Sequence, residues 1–217
     1  MKTTEAGTSH PPHKGRRKDP RVDAALIDAA IEVLNESGYA GFTTTAVARR
    51  AGASTASLYR RWPSKQALAG AVARHITLDE FGGIDTGALE GDVREFLARK
   101  QRLLDGEAGP ALLSLMGQAA HDADLRQILH DDVYLAVRER LELLIAGAVR
   151  RRELAGPLPA ARLDVLALVL IGTALARSAF LGPPGPAPTA QAAEVTETEL
   201  RLLLAALHGP LGHGADG

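Results

Sequence analysis

Residues 51–65 read "AGASTASLYRRWPSK". Gly52 forces a turn, and Pro63 stops the helix that follows it. Leu58 is the one large apolar side chain between Gly52 and Tyr59, so a short helix from about Ser54 to Arg61 is anchored by a single residue. Ser54, Thr55, Ala56 and Ser57 stay small at its N-terminal end. A surface helix shaped for stability carries Glu and Lys there. Small side chains instead let the backbone approach base edges and turn its first amides towards phosphate. Upstream, Thr43 is a natural N-cap for a helix over Thr44–Ala51 with Val47 and Ala48 inward. A first helix starts at Asp19-Pro20, repeats Val22, Leu26, Ala29 and Val33 at helical spacing and ends at Gly38. Two helices joined by a turn that opens with glycine form a helix-turn-helix, whose second helix enters a DNA major groove.

The rest of the 217 residues sets the context. Hydrophobic residues make up 46% but aromatics only 4%, with Ala, Leu and Arg abundant, which predicts an all-α protein. There is no cysteine, so disulfides and thiolate metal sites are excluded. The first 20 residues lack the apolar run of a secretory signal, and the longest apolar run, Val165–Ala176, is short of the roughly 20 residues that span a bilayer. The expectation is a soluble, cytoplasmic protein with no membrane partner. Charge is divided along the chain. Residues 1–70 hold 11 Lys and Arg against 6 Asp and Glu, the remainder 14 against 20, so a basic head sits on an acidic body and only the head suits a polyanion.

Residues 1–18 are polar, with Lys14, Arg16, Arg17 and Lys18, and read as a disordered basic arm. Residues 19–66 make the helix-turn-helix head. Residues 67–217 make a helical regulatory body. In it, Ser64 caps a helix through Leu68, Val72 and Ile76 to Gly82-Gly83, followed by helices over 88–105, 110–121 and 124–152, the last striped by Leu125, Ile128, Leu129, Val133, Ala136 and Leu144. The helix over 160–181 has no polar face in its middle and is expected to be buried all round. A linker over 182–192 leads to a last helix with Leu200, Leu203, Leu204 and Leu207. A second copy of the chain would satisfy both late helices, which predicts a two-fold homodimer.

The stretch "GYAGFTTTAVARRAGASTASLYRRWPSKQAL", residues 38–68, resembles the tetracycline-repressor (TetR) family of bacterial transcriptional regulators. It shares the Gly-aromatic pair, Thr-Thr, the Ala-Gly turn, a recognition helix ending in Leu-Tyr, and Pro-Ser-Lys. The resemblance implies that Thr44 and Thr45 meet the phosphate backbone or a base. It also implies that Thr55, Ala56 and Ser57, with Ser54 at the helix start, face base edges. Tyr59 and Lys65 match phosphate contacts, Arg61 a further DNA-facing position, and Arg60 lies on the flank. Short side chains in the groove read methyl groups and edges, while a phenol and an ammonium position the backbone. Trp62 is expected to pack under the next helix. Arg16, Arg17 and Lys18 suit a minor groove, and equally a solvated tail.

The body is expected to bind an apolar or amphipathic effector between helices, with Phe96, Met116, Tyr134, Arg138, Arg177 and Phe180 as candidates because they are large or polarisable amid Ala and Leu. Arg177 also suits a carboxylate pair or a solvated helix end. The cluster "HDADLRQILHDD", residues 121–132, invites a metal reading, but Asp beside a helix start is an ordinary cap, and no metal or other cofactor is expected. No phosphate loop, Ser-His-Asp spacing or zinc-protease helix is present, so the chain is not expected to be an enzyme. The alternative is a helical small-molecule-binding protein or enzyme with a non-specific DNA-binding head. The favoured reading is a dimeric repressor on a palindromic operator, released by its effector, with recognition helices about 34 to 36 Å apart.

Overall fold

A computed structural model describes residues 20–181 and 190–209, and the described secondary structure is helical throughout. The expected arm over 1–18, the cap at Asp19 and most of the expected linker lie outside the described residues. Helix α1 (Pro20–Gly41) breaks at Gly38, whose φ of 60° is the left-handed conformation that glycine adopts at least cost. Thr43 then caps α2 (Thr44–Arg50) by accepting from the Ala46 amide at 3.1 Å. Gly52, at φ 62°, makes the turn into α3 (Thr55–Tyr59), which is shorter than the expected helix and capped by Ser54. Ser64 caps α4 (Lys65–Glu80), with its oxygen 3.0 Å from the Ala67 amide.

The body follows as α5 (Leu89–Asp105), α6 (Gly109–Gln118), α7 (Ala123–Leu129), α8 (Leu135–Arg150), α9 (Ala160–Leu181) and α10 (Ala190–His208). The single helix expected over 124–152 is divided by a π turn at His130–Tyr134. Its cause is in the pattern: Leu125, Leu129, Val133, Val137 and Leu141 recur every four residues and all are buried. In an α-helix each such step overshoots one turn by about 40°, so the stripe would wind away from its neighbours. The wider π turn takes up part of that drift. The stripe then passes from one hydrophobic core to another.

The first core contains Leu26, Leu34, Phe42, Val47, Leu58, Leu68 and Val72, and extends to Leu112 and Leu115 of α6 and Leu125 and Leu129 of α7. The head therefore packs as one unit with α4, α6 and α7, across the boundary expected at residue 66. The second core joins Phe81, Val93, Phe96 and Leu97 to Leu141, Leu144, Leu166, Leu170, Leu200 and Leu203. α9 departs from its expectation of burial on every side. Its inner face, with Leu163, Leu166, Ala167 and Leu170, is buried, while Val165 (57% exposed), Leu168 (59%) and Phe180 (85%) face outward. Among the described residues, nothing else covers that side. Counted as a whole helix rather than as an unbroken run, Ala160–Phe180 is long and apolar enough to cross a membrane. Arg138 of α8 binds its Asp164, and its Arg177 donates to Thr196 of α10, which ties it into the body.

Candidate nucleic-acid interface

Leu58, fully buried, holds α3 on the first core. Its neighbours Ser54, Thr55, Ala56, Tyr59 and Arg60 are exposed, and Ser57 is half-buried. Thr45 is exposed beside them at the start of α2, and both segments present short side chains on a rigid base. Thr44 is different. It is buried, and its hydroxyl shares a 2.9 Å hydrogen bond with the Tyr59 hydroxyl, so it positions Tyr59 from beneath rather than facing outward. Tyr59 keeps about half its surface exposed (51%), enough for its phenol to meet a phosphate.

Lys65 stands at the first turn of α4 with its Nζ donating to the Tyr39 carbonyl at 2.7 Å and lying 3.9 Å from the centre of the Tyr39 ring. Burial pulls its pKa below the usual lysine value, against the attraction of Asp122. Arg61 has only 11% of its side chain exposed. Its Nε donates to Asp23 of α1, and its Nη1 donates to the backbone oxygen and Oγ of Ser57, at 3.1 and 2.9 Å. Trp62 packs half-buried against the first core, as expected. Arg50 closes the other side of the head by pairing with Glu32 and Glu36 of α1.

A junction that the sequence reading did not single out joins this face to the body. The Tyr39 amide, freed by the break at Gly38, donates to Ser114 Oγ of α6 at 3.1 Å. The Tyr39 hydroxyl and Gln66 Nε2 both donate to Asp122, which also caps α7 by accepting from the Leu125 amide at 2.9 Å. That amide bond is the main reason the Asp122 carboxyl sits below its usual pKa. Burial, reinforced by the Asp122 charge, pushes the Tyr39 phenol up to about 12. The Gly-aromatic pair and the "HDAD" cap were visible one by one; their meeting across 83 residues was not.

The structure does not gather the candidate effector residues. Phe96 is buried in the second core, stacked on Phe81 with ring centres 4.6 Å apart. It lines a cavity of only about 10 Å³ with Leu144, Leu166 and Leu203. Met116 packs against the first core. Tyr134 and Arg138 do meet, both donating to Asp164 Oδ1, at 2.9 and 2.7 Å. Arg177 lines a groove of about 750 Å³ between α9 and α10, and Phe180 is exposed. On that groove's wall, Glu199 accepts from buried Lys100, which also donates to Thr173 at 3.1 Å. Burial lowers the Lys100 pKa, and Glu199 opposes the shift.

Comparisons with known proteins agree with this architecture. The HTH-type transcriptional regulator YdeS of Bacillus subtilis is 25% identical over 141 residues, 65% of this chain and 71% of YdeS. The crystal structure of the TetR family transcription regulator SCO0332 superposes with a TM-score of 0.61 at 27% identity, covering 83% of this chain and 97% of that one. FadR from Bacillus subtilis, solved in complex with stearoyl-CoA, has the same fold at 15% identity, with a TM-score of 0.66 over 86% of this chain and all of FadR. The family model described as bacterial regulatory proteins, tetR family, matches residues 26–72, and the tetracyclin repressor-like C-terminal domain matches residues 84–199. With α3 exposed on the first core and both halves of the chain accounted for, this chain belongs to the tetR family of bacterial transcriptional regulators.

Proposed function

We propose that the chain is a repressor that binds a palindromic operator as a homodimer and leaves it when an apolar or amphipathic molecule enters the body. The observation that carries the DNA part is the exposed run Ser54–Ala56 on a helix pinned by buried Leu58, with Tyr59 and Lys65 at its edge. In this reading Thr45, Thr55, Ala56 and Ser57 meet the groove while Tyr59, Lys65 and Arg60 meet phosphates. Thr44 and Arg61 act through Tyr59 and Ser57.

The dimer part rests on α9 and α10. Val165, Leu168, Val169 and Leu202 form an exposed aliphatic surface beside the groove, of the kind a second copy buries. The effector part rests on the second core. Its cavity is only about 10 Å³, so an apolar guest would have to part α5, α8, α9 and α10, and that displacement is how a ligand acquires different affinities for two states. The FadR structure with stearoyl-CoA is a precedent for an amphipathic guest in this fold. Movement would reach the head through the Tyr39–Asp122–Gln66 junction at the start of α4.

The test is binding of the purified protein to DNA upstream of its own gene across a salt series, with an unrelated duplex as control. Preference for the upstream duplex, with two chains per site, supports the reading; equal binding to both duplexes sinks it. Tyr59→Phe and Lys65→Ala should then weaken binding on every sequence, with Lys65→Ala lowering the salt slope by about one unit. Thr55→Ala should change base preference instead.

A further inference from the structure

We infer that Asp23, on α1 and outside the recognition helix, is a positioning residue that determines specificity by holding Arg61 onto Ser57. The inference rests on the DNA-binding reading above. Its basis is a chain of three side chains: Asp23 accepts from Arg61 Nε, and Arg61 Nη1 donates to both oxygens of Ser57. The Ser57 amide is already given to Ser54 Oγ at 3.1 Å.

The consequence is chemical. A serine hydroxyl normally both donates and accepts, so it tolerates either kind of base edge. Here the Ser57 oxygen accepts from a guanidinium, and its own proton has no acceptor among the described residues. One of the two lone pairs on that oxygen is thus taken while the proton is left to give, which biases Ser57 towards meeting the groove as a donor. It then favours guanine N7 and O6, adenine N7 or thymine O4 over the N4 amino group of cytosine, which can only donate.

The latch has a second effect. Arg61 follows α3 and reaches back to Ser57, and a free guanidinium there would bind any phosphate without regard to sequence. The Asp23 carboxylate offsets its charge and keeps it 11% exposed. An acidic residue in the first turn of α1 thus gives up some affinity for DNA in general and sharpens the choice between sequences.

The experiment compares wild type with Asp23→Ala, Asp23→Asn, Arg61→Ala and the Asp23→Ala/Arg61→Ala double variant. The probes are a duplex selected from randomised DNA on the wild-type protein, its single-base variants, and a scrambled duplex, each over a salt series. Asp23→Ala is expected to bind the scrambled duplex more tightly, with a salt slope steeper by about one unit. Its discrimination against cytosine at the Ser57 position should fall by about fivefold or more. Asp23→Asn keeps an acceptor oxygen and should retain the discrimination. In the Arg61→Ala background, Asp23→Ala should change neither quantity.

Equal weakening of all duplexes by Asp23→Ala, or an unchanged effect of Asp23→Ala without Arg61, overturns the inference. Absence of any preference in the wild-type selection is a different failure, seen before a variant is made. It removes the DNA-binding reading and this inference with it.

Discussion

The head and the α9–α10 side of the body are both surfaces of one chain, but they are finished differently. On the head the exposed groups are short or polar, and several are tied down by neighbours: Tyr59 by Thr44, Ser57 by Arg61, Lys65 by Tyr39. On the body Leu168, Leu202 and Phe180 stand exposed beside a groove of about 750 Å³. A polar surface already satisfied within its own chain can wait for a polyanion at little cost. A large aliphatic surface in water is unfavourable until something apolar covers it. In the reading proposed above, the first selects and the second associates.

The comparison breaks most visibly at the residues that anchor each surface. Leu58→Ala removes the sole large side chain holding a five-residue helix, and should cost about 2 to 5 kcal/mol, read as a lower melting temperature and lost DNA binding. The equivalent change on the body, Leu168→Ala, should leave the folding of a single chain almost untouched. Leu168→Glu together with Val165→Glu is the next largest effect. It should halve the mass seen by analytical ultracentrifugation and weaken operator binding, because two linked heads on one site gain from each other. A dimer that survives both charges would mean that another surface joins the copies.

Smaller effects sharpen the contrast. Tyr59→Phe removes the phenolic hydroxyl and with it the bond to Thr44, and should weaken binding about fivefold on specific and scrambled duplexes alike. A change confined to one sequence would make Tyr59 a base reader. The smallest effect is at Tyr39. Its folded-state pKa lies above its ordinary value of 10, so an unfolded chain releases that proton first as pH rises. The stability it contributes is complete below pH 10 and is lost as pH climbs to about 12. Tyr39→Phe should therefore show a shallower fall in melting temperature over that interval than wild type.

These outcomes trace back to how far each feature could be read from residues alone. The break at Gly38, the turn at Gly52 and the caps at Thr43 and Ser64 all stand where the sequence placed them, while Ser54 caps α3 rather than opening it and α3 ends at Tyr59, short of Pro63. Each depends on a residue's own backbone preference or on a side chain bonding an amide three residues on. Thr45, Thr55, Ala56 and Tyr59, which the family resemblance puts at DNA, are all exposed on these short helices. At Thr44 and Arg61 the structure adds intrachain partners that the sequence did not show. Those partners are 15 and 38 residues away, and it was the family resemblance that made both residues contacts for DNA. The candidate effector residues scattered because size and polarisability say nothing about which core a side chain enters.

By itself, then, the sequence determined an all-α chain with a helix-turn-helix on a basic head, since periodicity, capping and turn chemistry act within a few residues. Only the tertiary structure decided that α6 and α7 share the head's core, and that a four-residue stripe needs a π turn. It alone decided that α9 is covered on one side, and that Asp23, Tyr39 and Asp122 meet groups far along the chain. Those outcomes depend on the angles and registers at which helices pack, which are properties of the assembled core and not of any one segment.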